Sequence, residues 1–380
     1  MSDHNTTPDT ATDVNEATDA TVLTERRGPN GRLGIITLNR PRAINALTHD
    51  MAIQIRAVLE EWARDDDVEA VALTGTGDRG LCAGGDIVAI YDDARTGGTA
   101  TENFWRDEYH LNAFIASYPK PYVALMDGLV LGGGVGLSAH ASHRVVTDRT
   151  RIGMPEVGIG FLPDVGGTWL LSNAPGELGT KLALTAGHVD AGDAIAVGLA
   201  DHYVPAAELG TLLDLLAQLP VDAALDEVTR RAPGSNLLHQ QEWIDAAFAH
   251  DTVDDILKAL TARPEDGAVA ARRALSRNSP TSLVVTLRAL RSARDVASLE
   301  DALDQEYRIA VRLLRSHDFP EGIRAQVVDK DRDPKWHPAT VADVDPADVD
   351  AYFAPLDDEL AAHAHRHEPT SSFAQQGGTA

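Results

Sequence analysis

Three segments of the sequence concentrate residues that could do chemistry. Two of them, residues 75–86 and 128–136, are glycine-rich loops that each follow an apolar, strand-like run. Because glycine has no Cβ, such loops let backbone N–H groups approach a ligand oxygen closely, and two such donors make an oxyanion hole. The third segment, residues 154–167, supplies the carboxylates Glu156 and Asp164. Together the segments predict a site at which carboxylates act on an oxygen that gains negative charge.

Each of these features also has a simpler structural interpretation. Glu156 follows Pro155 and could be an acid in the first turn of a helix. Asp164 precedes an apolar run and could be an N-cap, and single glycines commonly serve only as turn residues. The functional interpretation is favoured because two glycine-rich loops precede the two acids in one chain.

The loops also contain dinucleotide-like patterns, Gly-x-Gly-x-x-Gly over residues 75–80 and Gly-x-Gly-x-x-Ala over residues 134–139. Such a pattern is informative only where it opens a helix within a compact βαβ unit. The first pattern runs into Leu-Cys-Ala-Gly-Gly-Asp, whereas the second could open a helix over residues 137–144, with Glu156 about 20 residues on. An NAD-dependent dehydrogenase is therefore a remote alternative.

The elements that must position these loops alternate between strands and helices. Apolar runs predict strands at residues 32–39, 68–75 and 121–126. Between the first two, Thr48 is a candidate N-cap for a helix whose apolar stripe contains Met51, Ile55, Val58, Leu59 and Trp62. This alternation predicts an α/β core over residues 30–205, and leucine-rich helical periodicity predicts an α-helical C-terminal region over residues 206–356.

The two ends of the chain have a different composition. Residues 1–29 and 357–380 are polar and contain few large apolar side chains. Such segments cannot bury enough surface to offset the entropy lost on ordering. We therefore expect a disordered acidic tail over residues 1–29 and a second disordered tail over residues 357–380.

Charge and hydropathy exclude several classes of partner. The chain has 380 residues, with 33 Lys plus Arg and 58 Asp plus Glu, and a formal net charge of −25. This argues against nucleic acid, because phosphate backbones need a basic surface. The apolar stretch 123–141 contains Asp127 and three consecutive glycines, which favours a buried strand and a turn over a membrane span. A polar N-terminus and a single cysteine, Cys82, fit a cytoplasmic protein.

Cysteine and histidine offer little for covalent or metal chemistry. Cys82 has no His nearby in sequence and is typical of a small buried hydrophobe. His140 and His143 share a helix face without a third ligand, and the alternating histidines of residues 363–367 fall in the predicted tail. We predict no metal and no cofactor.

Several motifs in order resemble the crotonase (enoyl-CoA hydratase/isomerase) superfamily. They are Leu-Asn-Arg-Pro-Arg-Ala-Ile-Asn-Ala-Leu at 38–47, Cys-Ala-Gly-Gly-Asp-Ile at 82–87, Gly-Gly-Gly-Val-Gly at 132–136 and Met-Pro-Glu at 154–156. Further motifs resemble its 3-hydroxyisobutyryl-CoA hydrolase branch: Phe-Trp-Arg-Asp-Glu-Tyr at 104–109, Phe-Leu-Pro-Asp-Val-Gly-Gly at 161–167, Ser-Pro-Thr-Ser at 279–282 and Val-Asp-Lys-Asp-Arg-Asp-Pro-Lys-Trp at 328–336. The resemblance covers residues 30–353.

This resemblance implies a fold and a set of roles. The core would be a crotonase-like spiral of ββα units, with acyl-CoA bound in a bent form between loops. The backbone amides of Gly85 and Gly133 would bind the thioester oxygen. Glu156 falls at the superfamily's acid/base carboxylate, Asp164 at the second acid of the hydrolase branch, and Glu108 at a branch position that meets the acyl group.

The resemblance also implies where the substrate lies along the chain. Its candidate binding residues beside Glu108 are Ala83, Asp86, Ile87 and Arg42. Since the chain has only five lysines, arginines must carry most contacts to the CoA phosphates, and Arg40 shares this expectation with Arg42.

One departure from the superfamily pattern separates the activities. Hydratases carry a second glutamate three residues after the middle glycine of the second loop, where this sequence has Gly136. Adding water across a double bond needs that second group, whereas thioester hydrolysis needs a stabilised oxyanion and a carboxylate. We therefore expect hydrolysis of a short 3-hydroxyacyl-CoA. The resemblance implies 3-hydroxyisobutyryl-CoA, giving 3-hydroxyisobutyrate and CoA in valine breakdown.

Other interpretations stay open at this point. An isomerase can work with one carboxylate, so an enoyl-CoA isomerase or hydratase of the same superfamily is the enzymatic alternative, and 3-hydroxypropionyl-CoA is an alternative substrate. An inactive scaffold is the non-enzymatic alternative, against which intact Glu156 and Asp164 argue. Superfamily relatives are often trimeric or hexameric, which leaves a homo-oligomer open. CoA would be part of the substrate rather than a cofactor.

Overall fold

The computed structural model describes residues 20–362, and its largest sheet has six strands. These strands are β1 Val22–Arg27, β2 Leu33–Leu38, β3 Ala70–Gly75, β4 Tyr122–Met126, β6 His143–Val146 and β9 His202–Tyr203. They lie in the order β1-β2-β3-β4-β6-β9. β1 pairs with β2 in antiparallel fashion, with Val22 opposite Leu38, and every other pair is parallel.

Three further strands form a second sheet. It contains β5 Leu129–Leu131, β7 Arg151–Gly153 and β8 His188–Val189, in that order. The chain thus adds one strand to each sheet in turn, β4 then β5 and β6 then β7, with a helix between successive pairs. This confirms the expected spiral of ββα units.

Helices fill the connections of the spiral and make up the rest of the chain. Those before residue 206 are α1 His49–Arg64, α2 Ile87–Thr96, α3 Ala100–Ala116, α4 Gly133–Ser138, α5 Gly167–Ser172, α6 Leu178–Thr185 and α7 Ala191–Ala196. Those after it are α8 Leu209–Leu216, α9 Val221–Val228, α10 Asn236–His239, α11 Gln241–Phe248, α12 Val253–Thr261, α13 Asp266–Leu275, α14 Pro280–Ala293, α15 Leu299–Leu313, α16 Asp318–Ile323 and α17 Pro346–Phe353. A π-helical turn, Arg324–Val328, follows α16, and short 3₁₀ turns lie at Pro29–Gly31, Pro41–Ala43, Glu156–Ile159, Ala206–Glu208 and Val341–Asp343.

The predicted elements of the core are confirmed. The three predicted strands correspond to β2, β3 and β4, each shortened by one or two residues at its ends. The predicted helix is α1, whose N-cap Thr48 accepts a hydrogen bond from the Met51 amide at 3.3 Å. Its stripe residues Met51, Ile55 and Leu59 are fully buried in the main apolar core, which also contains side chains of β2 and β3.

The C-terminal helices share one apolar core with the spiral. A single cluster of buried side chains runs from β1 to residue 362, and a smaller cluster lies between the six-stranded sheet and α8 and α9. Helices α14 and α15 pack on α5. The predicted domain boundary near residue 206 stays a prediction. The helices that follow it pack against the helices and loops of the spiral.

The predicted N-terminal tail is wrong over residues 20–29. Val22–Arg27 form the edge strand β1, although three of its six residues are exposed and only Val22 is buried. Main-chain pairing with β2, rather than side-chain burial, holds this segment, and main-chain pairing leaves no hydrophobic pattern in the sequence. Residues 1–19 lie outside the described part of the chain.

The predicted C-terminal tail is wrong over residues 357–362. Leu360 and Ala362 are buried, and Arg106 on α3 donates to the Glu359 carbonyl and the Asp358 carboxylate at 2.8 Å each. Residues 363–380, with the alternating histidines, lie outside the described residues. In the apolar stretch 123–141 the chain forms β4, β5 and α4. Over residues 20–362, no helix combines the length and the hydropathy that a membrane crossing requires.

Replacing Arg106 by Ala tests whether this side chain fastens the 357–362 segment. The variant loses the hydrogen bonds to residues 358 and 359 and a contact with the Tyr307 ring. Because the side chain is half-exposed, we expect a loss of about 1 kcal/mol in unfolding free energy. We also expect faster amide hydrogen exchange confined to the segment and its contacts. Arg64→Ala, at an exposed position of α1, is the control. Unchanged exchange at residues 357–362 would contradict this account.

Candidate active site

One cavity of about 210 Å³ collects most of the residues that the sequence predicted. Both glycine loops and the acidic segment contribute to its wall. The predicted residues among its lining are Ala83, Gly85, Ile87, Glu108, Gly133, Glu156 and Asp164. Residues far apart in the chain therefore meet at one site, as the three-segment hypothesis requires.

The two glycine loops approach each other through their main chains. Leu131 donates its amide hydrogen to the Cys82 carbonyl at 2.9 Å, which ties the second loop to the first. Gly85 faces Leu47, but the pairing there uses the amides of Leu47 and Asp86, which leaves the Gly85 amide out of it. Gly133 opens α4, where the first amides have no partner within the helix.

Gly85 and Gly133 lie close to each other and line the same cavity. A Cβ built on Gly133 would lie 3.5 Å from the Gly85 nitrogen and 2.5 Å from Glu108 Oε1. Gly132, with a φ of 45°, turns the chain into α4, and a Cβ on it would lie 2.7 Å from Glu156 Oε1. This close approach requires glycine, and it creates two main-chain donors beside two carboxyl groups.

Glu156 is held at the start of the 3₁₀ turn Glu156–Ile159, directly after Pro155. It therefore is a first-turn acid, and its side chain also faces the cavity. Its Oε2 atom is buried without a hydrogen-bond partner. Burial raises the pKa of Glu156 well above its usual range, and the charge of Asp164 raises it further. The unpartnered Oε2 and the Oε1 atom beside Gly132 belong to a carboxyl group that lies at the cavity.

Asp164 accepts a hydrogen bond from the Tyr109 hydroxyl at 2.7 Å. Burial raises the pKa of Asp164 to about 7, although the Tyr109 hydrogen bond opposes the rise. The N-cap interpretation of Asp164 is wrong, since α5 begins at Gly167 and its N-cap residue is Gly166. The carboxyl group can thus exchange a proton near neutral pH.

Glu108 completes a set of three acids at the cavity. It lies on α3 next to Tyr109, is 2% exposed, and has an unpartnered Oε1. Burial raises its pKa well above the usual range, with a further contribution from Asp164. None of the residues lining this cavity in the described chain is Lys or Arg. The acids therefore have no cation to hold them ionised, which suits groups that accept and release protons.

Three aromatic rings that the sequence analysis did not assign close one side of the cavity. The rings of Trp105 and Phe161 are 4.9 Å apart, and those of Phe161 and Phe319 are 4.6 Å apart. Trp105 and Phe161 occur in the quoted motifs, but only the structure brings Phe319 from the C-terminal region to them. Two further residues were missed, Tyr109 and the buried acid Glu306, which bonds to the chain just after Asp164.

Two predicted binding residues lie outside this cavity. Asp86 pairs with Arg40 at 2.8 Å and lines a neighbouring cavity of about 130 Å³. Arg42 is exposed, and its carbonyl accepts a hydrogen bond from the Arg79 guanidinium. Since Arg40 is committed to Asp86 and to the Ala46 carbonyl, Arg42 is the better placed of the two for a phosphate.

The structure also bears on the dinucleotide-like patterns, on Cys82 and on His140. Gly80 packs against the Leu129 main chain instead of opening a helix, and α4 has only six residues, so neither dinucleotide pattern has its required context. Burial raises the pKa of the Cys82 thiol to about 12, which removes it as a nucleophile. His140 donates from Nε2 to the Val165 carbonyl at 2.8 Å.

The chain is similar to known proteins over most of its length. The family model described as enoyl-CoA hydratase/isomerase matches residues 33–353. The mitochondrial 3-hydroxyisobutyryl-CoA hydrolase of Rattus norvegicus is 39% identical over 348 residues, covering 89% of each chain. The Homo sapiens protein of the same name is 37% identical over 346 residues, covering 88% of this chain and 89% of its own.

Two solved structures match over nearly their whole length. A carnitinyl-CoA dehydratase from Mycobacterium thermoresistibile has a TM-score of 0.87 and 51% identity, covering 90% of this chain and 99% of its own. An enoyl-CoA hydratase from Rhodobacter sphaeroides has a TM-score of 0.84 and 42% identity, covering 89% and 98%. These matches include the helical C-terminal region. The chain is therefore a member of the enoyl-CoA hydratase/isomerase, or crotonase, family.

Proposed function

We propose that this protein hydrolyses short 3-hydroxyacyl-CoA thioesters, with 3-hydroxyisobutyryl-CoA as the preferred substrate. The names of the curated relatives support this choice. The observation that carries it is that Glu156 lies beside Gly85 and Gly133, whereas Gly136 has no space for a side chain. A carboxylate and an oxyanion hole suffice for cleaving a thioester.

The closed position concerns the second acid of a hydratase. A Cβ on Gly136 would lie 2.7 Å from Val165 Cβ and 2.8 Å from Asn112 Nδ2. The space that a glutamate side chain would need is therefore filled by Val165, the residue after Asp164. Because a hydratase needs two groups to handle water and the α-proton, this packing favours hydrolysis.

In the proposed reaction the thioester carbonyl oxygen accepts hydrogen bonds from the amides of Gly85 and Gly133. The Glu156 carboxylate attacks the carbonyl carbon, or removes a proton from a water that attacks it. Negative charge then moves to the carbonyl oxygen, where the amides stabilise it. The carbon–sulfur bond breaks, and the CoA thiolate takes up a proton. In the water route this is the proton that Glu156 removed from the water, and in the covalent route it comes from solvent. Water resolves the mixed anhydride of the first route, so both routes give the free acid and CoA.

The other acids have supporting roles in this proposal. Asp164, oriented by Tyr109, binds the 3-hydroxyl of the acyl group. Glu108, whose raised pKa favours the protonated, neutral form, contacts the acyl group beside Gly133. The aromatic wall of Trp105, Phe161 and Phe319 limits the length of the acyl chain, and Arg42 contacts a CoA phosphate.

Hydration or dehydration of an acyl-CoA is the second candidate function. The names of the two proteins of known structure point to it, and Asp164, with a pKa of about 7, could serve as its second acid. The activities have different products. Hydrolysis releases a free thiol, whereas hydration changes the enoyl absorbance and releases none. A panel of short 3-hydroxyacyl-CoA and enoyl-CoA thioesters assayed for both signals separates them.

The location, the oligomeric state and the expected absence of certain partners stay predictions. The cytoplasmic location stays a prediction, and the curated relatives are named as mitochondrial proteins. A homo-oligomer, and the expectation of no metal, no cofactor and no nucleic-acid partner, stay predictions as well.

Glu156→Gln tests the central carboxylate. The amide neither attacks a thioester well nor accepts a proton from water, so we expect kcat for thiol release to fall by about 10²–10⁴-fold. The matched control is Glu177→Gln, which changes another buried glutamate that lies outside the cavity and pairs with Arg291 and Arg294. Thiol release by the Glu156→Gln variant at near wild-type rate would remove Glu156 from this role.

Asp164→Asn tests the electrostatic coupling within the cavity. The charge of Asp164 raises the pKa of Glu156, and the reaction uses ionised Glu156. Removing that charge should let Glu156 ionise at lower pH, so the acidic limb of the kcat/KM profile should move to lower pH. Asp193→Asn, a buried position outside the cavity, is the control. A limb that stays in place or moves to higher pH contradicts the coupling.

Phe319→Leu tests the aromatic wall. The smaller side chain opens the closed end of the cavity, so activity on hexanoyl-CoA relative to isobutyryl-CoA should rise by about tenfold. Phe248→Leu, a fully buried phenylalanine on α11, controls for loss of packing. If both variants leave the ratio unchanged, the wall does not set the acyl length.

A further inference from the structure

The chain makes an unusual turn directly after Asp164, and residues 164–168 are called here the Asp164 turn. Val165 has a φ of 52° and Gly166 a φ of 80°. A β-branched residue rarely adopts the left-handed region, so contacts from the rest of the structure must hold Val165 there. The direction of the Asp164 side chain depends on this turn.

Glu306, on helix α15, holds the turn from the side of the C-terminal region. The Gly166 amide donates to Glu306 Oε2 at 2.7 Å, and the Thr168 amide donates to Oε1 at 2.8 Å. The Thr168 hydroxyl donates to the same Oε1 atom. Glu306 and Thr168 are both fully buried. Each oxygen of the carboxyl group therefore accepts from the Asp164 turn.

His140 also contacts the Asp164 turn. Its Nε2 lies 2.8 Å from the Val165 carbonyl oxygen, which can only accept, so Nε2 carries the proton. A Cβ on Gly166 would lie 2.6 Å from the His140 ring. The turn thus lies between an acceptor on α15 and a donor that follows α4.

The neighbour of Glu306 supports the same carboxylate by a second route. The Tyr307 ring packs edge-on against the Tyr109 ring with centroids 6.1 Å apart, and Tyr109 donates to Asp164. Two consecutive residues of α15 therefore support Asp164. Glu306 does so through the main chain of the Asp164 turn, and Tyr307 does so through Tyr109, which donates a hydrogen bond to Asp164.

We propose that Glu306 is a positioning residue which, through Gly166 and Thr168, aims the Asp164 carboxylate at the 3-hydroxyl of the substrate. Helix α15 is then part of the specificity machinery, although Glu306 lines no part of the cavity. This inference rests on the proposed function, since it needs a 3-hydroxyacyl thioester whose hydroxyl Asp164 binds.

The experiment compares thiol release from 3-hydroxyisobutyryl-CoA and from isobutyryl-CoA, which lacks the hydroxyl. The quantity measured is the ratio of kcat/KM for the two thioesters. Thr168→Val keeps the shape of the side chain and removes its hydrogen bond to Glu306. We expect the ratio to fall by about fivefold, mainly through the hydroxylated substrate. Thr168→Ser restores the hydroxyl and should restore the ratio, and Glu306→Gln should lower the ratio further.

A matched control exists elsewhere in the chain. The Thr180 hydroxyl donates to the buried Glu177 carboxylate at 2.6 Å, outside the cavity. Thr180→Val removes the same kind of hydrogen bond and should leave the ratio unchanged. If Thr168→Val and Glu306→Gln lower activity on both thioesters equally, Glu306 is only structural and the inference is overturned.

Asp164→Asn separates this inference from the proposed function. If that variant loses the preference for the hydroxylated thioester and the Thr168 and Glu306 variants keep it, the positioning role fails while the function stands. If Asp164→Asn keeps the preference, the role of Asp164 fails and the inference falls with it. Wild-type protein that releases no thiol from any thioester of the pair overturns the proposed function itself.

Discussion

The close approach of two main chains at Gly85 and Gly133 is the constraint on which the rest of the site depends. A Cβ on Gly133 would reach Glu108 and one on Gly132 would reach Glu156, so side chains at these positions would fill the cavity. The pairing of residues 82 and 131 fixes the approach by main-chain hydrogen bonds. In the proposed reaction the two amides are therefore preorganised, because they need no rearrangement when charge develops on a bound oxygen.

Around these donors the protein places acids without cations. Burial raises the pKa of Asp164 to about 7 and that of Glu306 to about 8. An unfolded aspartate loses its proton near pH 4, so between about that pH and 7 folded Asp164 holds a proton that the unfolded chain does not. Its contribution to folding therefore weakens as pH rises through this window. The same raised pKa that lets Asp164 exchange a proton near neutral pH therefore lowers the stability of the folded protein there.

The C-terminal helices provide support that the spiral alone lacks. Phe319 forms part of the aromatic wall, and Glu306 accepts hydrogen bonds from the turn after Asp164. Val165 in that turn packs where a side chain at Gly136 would stand. The missing second glutamate and the position of Asp164 are thus two aspects of one packing arrangement, and the proposal of hydrolysis rests on it.

The sequence by itself determined the features that have a local signature. Strand and helix periodicity located β2, β3, β4 and α1, and the glycine-rich motifs and Glu156 located residues that line one cavity. Only the tertiary structure decided which distant side chains join them, such as Tyr109 on Asp164 and Glu306 on Thr168. Hydrogen bonds between residues up to 140 positions apart leave no periodic pattern. The edge strand β1 was missed for a related reason, since main-chain pairing holds it and any polar side chains can accompany that pairing.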